Sequence, residues 1–478
     1  MNSNDRAVFA GPKMRQVAVA SYVGTTIEFY DFYIYGTAAA LVFPAVFFPA
    51  WGSTGATVAS FATFAVAFGH YGDRIGRRRT LLATLLLTGV STLLIGLLPG
   101  AATIGVAAPI GLVALRFVQG FALGGEWAGT TLLTVEYAPP GQRGRYAMVP
   151  QLSPVIAVAL SSAVFLLTGL LPGNIDHSFL DYGWRIPFLM SAVLIGIGVY
   201  VRSKVAETPV FRQAQHRQLS TQTPLRTQTP LREAFSRASW EILLTAGTVT
   251  TGFALFYTGT TYLTSYGTSP TGAALPQALV LSFGIAAGAA MAAGVALSAV
   301  SSDRFGRRIV IMMSCAVAAV WSLLLVPLLD THSPVAFGVG IIVTLGLQSL
   351  AYGPAGALLP ETFPTRYRYT GAGTSYHLAA AVGGATPPLL ATLLAAAFGT
   401  LAIGVLLCAL ALLSMFCTKA LAETKDRDLQ NIQPGAAPWP ADNDDERRSC
   451  CSTGAHDDLG VAPSRGGMRW CAASTAAG

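Results

Sequence analysis

The sequence predicts an all-α polytopic membrane protein built as two six-helix bundles. Three observations carry that prediction. Of 478 residues, 53% are hydrophobic and only 11% are charged, against roughly 25% charged in soluble domains. Apolar stretches recur along the chain, six before a polar linker and six after it, and a spanning helix needs about 20 apolar residues. Arginine clusters occupy alternate loops, as expected where those loops face the cytoplasm.

Taken in order, residues 1–16 are polar and expected in the cytoplasm, with Arg6, Lys13 and Arg15. The first span, Val17–Phe43, contains Glu28 and Asp31 and no small-residue cleavage site, so it reads as a retained helix rather than a signal peptide. The second apolar stretch, Thr54–Phe68, is short for a span. Thr80–Leu98, Thr103–Tyr137, Tyr146–Leu171 and Trp184–Val201 complete an N-terminal bundle over 17–201. Residues 202–237 read as a basic cytoplasmic linker. The C-terminal bundle, 238–422, follows as Ala238–Leu263, Pro276–Val300, Ile309–Leu329, Val335–Leu359, Gly371–Ala397 and Thr400–Leu421. Residues 423–478 are rich in Pro, Gly, Ser and Asp and are expected to be a disordered cytoplasmic tail.

The formal charge of +7 does not point to nucleic acid, because the basic residues form short clusters between apolar runs. With the N-terminus in the cytoplasm, the cytoplasmic loops hold Arg74 and Arg77–Arg79, Arg143 and Arg145, the linker, Arg304, Arg307 and Arg308, then Arg366 and Arg368. The opposite loops are nearly free of cations, Arg185 excepted. Both termini are therefore expected in the cytoplasm. Cys315, Cys408 and Cys417 lie in apolar runs and Cys450, Cys451 and Cys471 in the tail, with no disulfide or zinc spacing.

Internal repetition supports the two halves. Gly69–Arg78, with Asp73, Arg74, Gly76, Arg77 and Arg78, recurs as Ala299–Arg308, with Asp303 and Arg304. Glu136 with Arg143 recurs as Glu361 with Arg366, and Glu207-Thr208 recurs as Glu423-Thr424. Repeats in this order imply two bundles with a site at their interface.

These segments resemble the major facilitator superfamily, of which the G-x-x-x-D-R-x-G-R-R pattern at Gly69–Arg78 is a specific signature. Within it, Gly24–Phe32, Arg116–Trp127, Trp184–Phe188 and Glu207–Phe211 are similar to the metabolite:proton symporter family, whose members carry shikimate, α-ketoglutarate, citrate, and proline or betaine. The resemblance covers roughly residues 15–424. It implies the major facilitator fold with 12 spans, in the cytoplasmic membrane of a bacterium. It also implies a gate latch at Asp73 and Arg74, with Asp303 and Arg304 as its second copy and Gly76, Arg77 and Arg78 beside it. The sequence departs from the family at helix 2, where about a dozen residues before Gly69 are missing. Fifteen residues at 1.5 Å each fall short of a core of about 30 Å.

Glu28 and Asp31 share a helical stripe with Gly24 and Tyr35. Intramembrane acids are costly and mark functional cavities, and two neighbouring carboxylates favour one holding a proton. They are the proton-coupling candidates; the plainer reading is a structural hydrogen bond to a neighbouring helix or a place at the membrane edge. Arg116 is a cation inside a predicted span, near Gln119 and Glu126. It reads either as a bidentate reader of a substrate carboxylate or as a permanent ion pair. Gln151, Tyr35, Tyr352 and Tyr376 are further polar groups for a cavity, and His377 reads as a packing residue. Glu136 with Arg143, and Glu361 with Arg366, are expected as salt bridges biasing the inward–outward equilibrium.

The sequence thus predicts a secondary transporter, a proton-coupled symporter of a small carboxylate-bearing metabolite. No nucleophile–base set, phosphate loop, metal or cofactor is implied beyond the proton gradient, and a monomer in the lipid bilayer is expected. The other readings are a facilitator or efflux protein of the same fold, or a transport-inactive paralogue with a shortened helix 2.

Overall fold

The computed structural model describes residues 12–41, 43–47, 77–139, 141–169, 182–203, 230–268, 272–384, 390, 394, 397–427 and 429. The backbone divides into two units, Met1–Pro438 and Trp439–Gly478, and the second lies outside the described residues. So do the short stretch Thr54–Phe68 and the loop residues Asp73, Arg74 and Gly76; for Arg77 and Arg78 only the backbone is described.

Helices of eight or more residues are numbered in chain order. The N-terminal half holds α1 (Pro12–Leu41), α2 (Arg77–Leu97), α3 (Ala107–Tyr137), α4 (Arg143–Gln151), α5 (Ser153–Gly169) and α6 (Arg185–Ser203). The linker contributes α7 (Pro230–Arg237). The C-terminal half holds α8 (Ser239–Tyr257), α9 (Gln277–Phe305), α10 (Arg307–Leu329), α11 (Pro334–Tyr352), α12 (Ala355–Thr362), α13 (Arg368–Ala379) and α14 (Leu401–Ala420). Helices α4 and α5 make one predicted span, broken at Leu152 beside Pro150 and Pro154. Helices α11 and α12 make another. Among the described residues, seven helices are long and apolar enough to cross a membrane.

The helices bury small and polar residues and expose large apolar ones, the inverse of a soluble bundle. On α10, Ile309, Met313, Val317, Val320 and Leu324 are exposed at i, i+4, i+8, i+11 and i+15. The opposite stripe of Ile311, Cys315, Ala318, Ser322 and Leu325 is buried. One face meets lipid and the other meets helices. Small residues permit close approach: a Cβ added at Gly404 of α14 would lie 2.6 Å from the Ser322 carbonyl oxygen of α10. Buried hydroxyls return to their own helix, as with Ser314 to Val310 at 2.8 Å and Ser322 to Ala318 at 2.7 Å.

Packing repeats between halves. Helix α1 packs on α3, α5 and α6, and α8 packs on α11, α13 and α14. The α2–α6 contact recurs as α10–α14. The halves meet where α3 touches α13, α4 touches α9 and α12, and α5 touches α9. An apolar cluster crosses that seam, joining Trp127, Ala128 and Leu132 of α3 to Tyr352, Ala355, Leu358 and Tyr376.

Two boundaries differ from the sequence reading. Arg202, placed at the start of the linker, is in the last turn of α6 and is 4% exposed. Linker residues 230–237 form a helix. The tail, expected to be disordered from Glu423, has an ordered beginning: Glu423–Arg427 and Leu429 are described, and Leu429 is buried.

Candidate functional site

The α1 stripe delivers its ionisable groups inward. Glu28, Asp31 and Tyr35 are all buried, as are Arg116, Gln119 and Glu126 of α3. Arg116 Nη1 donates to Gln119 Oε1 at 2.7 Å, one turn along α3. Gln119 Nε2 donates onward to Thr92 Oγ1 of α2 at 2.8 Å. The Arg116 guanidinium lies over the Tyr35 ring, 3.8 Å from its centroid, a cation–π contact. Asp31 Oδ1 accepts from Ser191 Oγ of α6 at 2.7 Å. Asp31 Oδ2 and Glu28 Oε2 are buried and accept no hydrogen bond from the described residues. Burying an ionised carboxylate without donors costs several kcal/mol.

A residue the sequence reading missed organises the second acid. Arg202 makes a two-pronged pair with Glu126: Nη1 donates to Oε2 at 3.0 Å, and Nη2 bonds Oε1. The same Nη1 donates to the Leu81 carbonyl at 2.8 Å, and Thr84 Oγ1 donates to Glu126 Oε2 at 2.6 Å. Gly24 makes room for this guanidinium, since a Cβ there would overlap it, 2.5 Å from Cζ. Glu28, one turn above Gly24, is in electrostatic contact with Glu126, Arg202 and Asp31. Glu126 is therefore held within the N-terminal half. The signal for Arg202 was its place just beyond an apolar run, which reads equally well as an end residue reaching for headgroups.

At the seam, Trp127 and Gln151 of the N-terminal half meet aromatic groups of the C-terminal half. The Trp127 ring stacks on Tyr376 with centroids 3.7 Å apart and planes 12° apart. Tyr376 and Tyr352 share a hydroxyl–hydroxyl bond of 2.9 Å. Gln151 Oε1 accepts from Trp127 Nε1 at 3.0 Å, and Gln151 Nε2 donates to the Tyr352 carbonyl at 3.2 Å. Phe253 of α8 meets Tyr376 edge-on at 4.9 Å, and His377 packs edge-on against Tyr376 at 5.4 Å. Glu28 is in electrostatic contact with Tyr352 and Tyr376, and Arg116 with Tyr257 at the end of α8. Glu28 and Arg116 of one half thus face tyrosines of the other, while Asp31 is held by Ser191 within its own half. Trp127, Phe253 and Tyr257 were not singled out from sequence, because aromatics in spans usually signal packing.

Residues 21–386 match the family model of the Major Facilitator Superfamily. The chain belongs to that superfamily. It is 40% identical over 427 residues to the inner membrane metabolite transport protein YhjE of Escherichia coli K12, covering 87% of this chain and 95% of that protein. It is 34% identical over 404 residues to the shikimate transporter of the same organism, covering 82% and 90%. The fold is similar to that of the proton:xylose symporter XylE of E. coli, with a TM-score of 0.73 at 16% identity, covering 87% of this chain and 98% of that one. This major facilitator protein is a multi-pass membrane protein of a metabolite-transporting family, not an enzyme.

At the arginine-rich end of the superfamily fold, the two halves are tied together. Asp303, at the end of α9, accepts from the backbone N–H groups of Gly144 and Arg145, both at 2.8 Å. An acid thus caps the free N-terminus of α4 across the seam. Arg307 Nη1 bonds Asp303 Oδ1 at 2.8 Å, and its guanidinium bonds Glu361 at 3.1 and 3.2 Å. Asp303 is thus bonded by Arg307, four residues on, and not by its neighbour Arg304. Arg304 is exposed, its guanidinium 5.2 Å from the Phe305 ring. The chain turns at Gly306, with φ of 98°, which carries Arg307 back over Asp303.

The expected Glu361–Arg366 pair is corrected as well. Glu361 is taken by Arg307, while Arg366 Nε reaches Glu233 of α7 at 2.7 Å. Glu136 accepts from Arg368 of α13 at 3.2 Å, and Arg143 approaches Glu361 at 3.7 Å, so both acids pair across the seam. Glu361 thus meets Arg307 of its own half and Arg143 of the facing one, and Glu136 meets Arg368 of the facing half.

Proposed function

We propose that the protein is a proton-coupled symporter that carries a small carboxylate-bearing metabolite across the cytoplasmic membrane as a monomer, driven by the proton gradient and needing no cofactor. The observation that carries this reading is the burial of Asp31, Glu28 and Arg116 within the N-terminal half, with Glu28 and Arg116 opposite tyrosines of the other half. Asp31 and Glu28 each have a carboxylate oxygen without a donor among the described residues, which suits a group that is neutral in part of its cycle. Arg116, steadied by Gln119 and the Tyr35 face, orients the substrate carboxylate. Tyr352 and Tyr376 bound the site from the other half, with Gln151 of the N-terminal half bonded to the Tyr352 carbonyl and Trp127 stacked on Tyr376. Arg202 and Glu126 fix the charge that Glu28 experiences.

The arginine-rich end faces the cytoplasm, with both termini there. The two bundles rock about the seam, and Asp303, Arg307, Glu136, Arg143, Glu361 and Arg368 form the cytoplasmic lock. Proteoliposomes carrying the purified protein test the reading with labelled carboxylates such as shikimate. Uptake that follows an imposed proton gradient and stops with an uncoupler supports it. Gradient-independent uptake, or preference for a neutral sugar, contradicts it.

A further inference from the structure

The beginning of the C-terminal tail is built into the same end of the molecule as the ion pairs. After α14 the chain turns beneath α10, where Glu423 accepts from the backbone N–H groups of Arg307 at 2.9 Å and Arg308 at 3.0 Å. Thr424 Oγ1 donates to Glu361 Oε2 at 2.8 Å, and Lys425 Nζ donates to the Arg304 carbonyl at 2.9 Å. The chain then enters the seam. The Arg427 carbonyl accepts from Arg143 Nη1 of the N-terminal half at 2.6 Å. The Leu429 carbonyl accepts from Arg368 Nη2 of the C-terminal half at 2.6 Å and from Thr365 Oγ1 at 3.1 Å.

Those two arginines are the ones that reach across the seam, Arg143 toward Glu361 and Arg368 to Glu136. The Leu429 side chain is 4% exposed and sits among Val135 of α3, Ala147 of α4 and Ala357 of α12. It therefore fills a pocket that exists only while the two halves are together at this end. A leucine seated there adds apolar burial to the closed arrangement and none to an arrangement in which α3 and α4 part from α12. The Arg427 carbonyl, bonded to Arg143 of the N-terminal half, adds a directional contact of the stronger kind that is also lost when the halves part, whereas the Leu429 carbonyl is held within the C-terminal half.

We propose that the tail residues Glu423–Arg427, together with Leu429, are a third component of the gate, a strap that holds the arginine-rich end closed and must leave the seam before that end opens. Glu423 and Thr424 anchor it to the C-terminal half. The Leu429 side chain and the Arg427 carbonyl are its releasable part. The inference rests on the transport reading for one of its two readouts only.

The test uses the full chain with its six native cysteines replaced by serine and one cysteine introduced by Ala357→Cys, under the leucine. Alkylation by a water-soluble maleimide is followed with the protein in detergent and in inside-out vesicles. With Leu429 intact the thiol reacts slowly. In the Leu429→Asp chain it reacts about tenfold faster, the shift expected when a two-state closure loses a modest bias, and Leu429→Met restores the slow rate. Counterflow exchange rises severalfold in Leu429→Asp. As a check independent of that variant's folding, Leu429→Cys with Ala357→Cys forms a disulfide on mild oxidation that arrests exchange until it is reduced.

Equal alkylation with leucine and aspartate, or no disulfide, overturns the seating of the tail. Faster alkylation with unchanged exchange overturns the strap. Absence of exchange in every chain, the unsubstituted one included, counts against the transport reading, while the alkylation series still decides whether the tail is seated.

Discussion

Gly24→Ala probes the buried Glu126–Arg202 pair from its blind side. The added methyl would lie 2.5 Å from Arg202 Cζ, whereas carbon atoms settle about 3.5–4.0 Å apart. The guanidinium must therefore retreat by about 1 Å. It is not free to do so, being tied to Glu126 and to the Leu81 carbonyl at 2.8–3.0 Å. Overpacking alone costs about 1–3 kcal/mol, and breaking a buried pair about 3–5 kcal/mol. A loss near 3 kcal/mol follows if the pair is stretched but not broken. The assay is denaturant unfolding in detergent micelles, run as a double-mutant cycle with the paired substitution Glu126→Gln and Arg202→Met. In that background the arginine is gone and Gly24→Ala should cost less than about 1 kcal/mol, giving a coupling of about 2 kcal/mol. An equal cost in both backgrounds would refute the claim that Gly24 exists to admit Arg202.

Two further predictions test the site and the arginine-rich end. Arg116→Lys keeps the charge but loses the planar fork that bonds Gln119 and covers Tyr35; KM for a carboxylate substrate should rise at least about tenfold, about 1.4 kcal/mol, measured as concentration-dependent uptake. At Glu423, burial works to raise the carboxyl's pKa, but backbone N–H groups of Lys425, Arg307, Arg308 and Thr424 outweigh it and hold the pKa below the usual value. The contribution is then fully present above the unfolded value near 4.3 and is lost as pH falls through the lower folded value. Glu423→Gln should melt below the unsubstituted chain at pH 7, and the two melting curves should converge as the pH drops below about 4.

Much of the architecture was legible in the sequence because lipid imposes a single rule, that apolar length means a span, and most predicted limits fall within a few residues of the helices. Asp31 and Arg116 were legible for the same reason, standing as charges where charges are costly. Arg202 was not, because hydropathy ends at Val201 and an arginine there reads as a loop residue; only the vacancy at Gly24 and the facing Glu126 reveal it as buried. The seam pairs were misread because proximity along the chain suggested Glu361 with Arg366, while tertiary packing gives Glu361 to Arg307. Of the tail, Glu423-Thr424 stood out as the repeat of Glu207-Thr208, but the end at Leu429 did not, since its contacts are made through main-chain carbonyls and one leucine within a polar stretch.

The claim on which the account depends is that the α1 acids couple proton movement to substrate movement. Gradient-driven uptake and counterflow exchange, measured side by side in proteoliposomes for Asp31→Asn, test it most directly. The account predicts that exchange persists while uptake no longer responds to the proton gradient. Uptake that still responds to the gradient with asparagine at position 31 would contradict it.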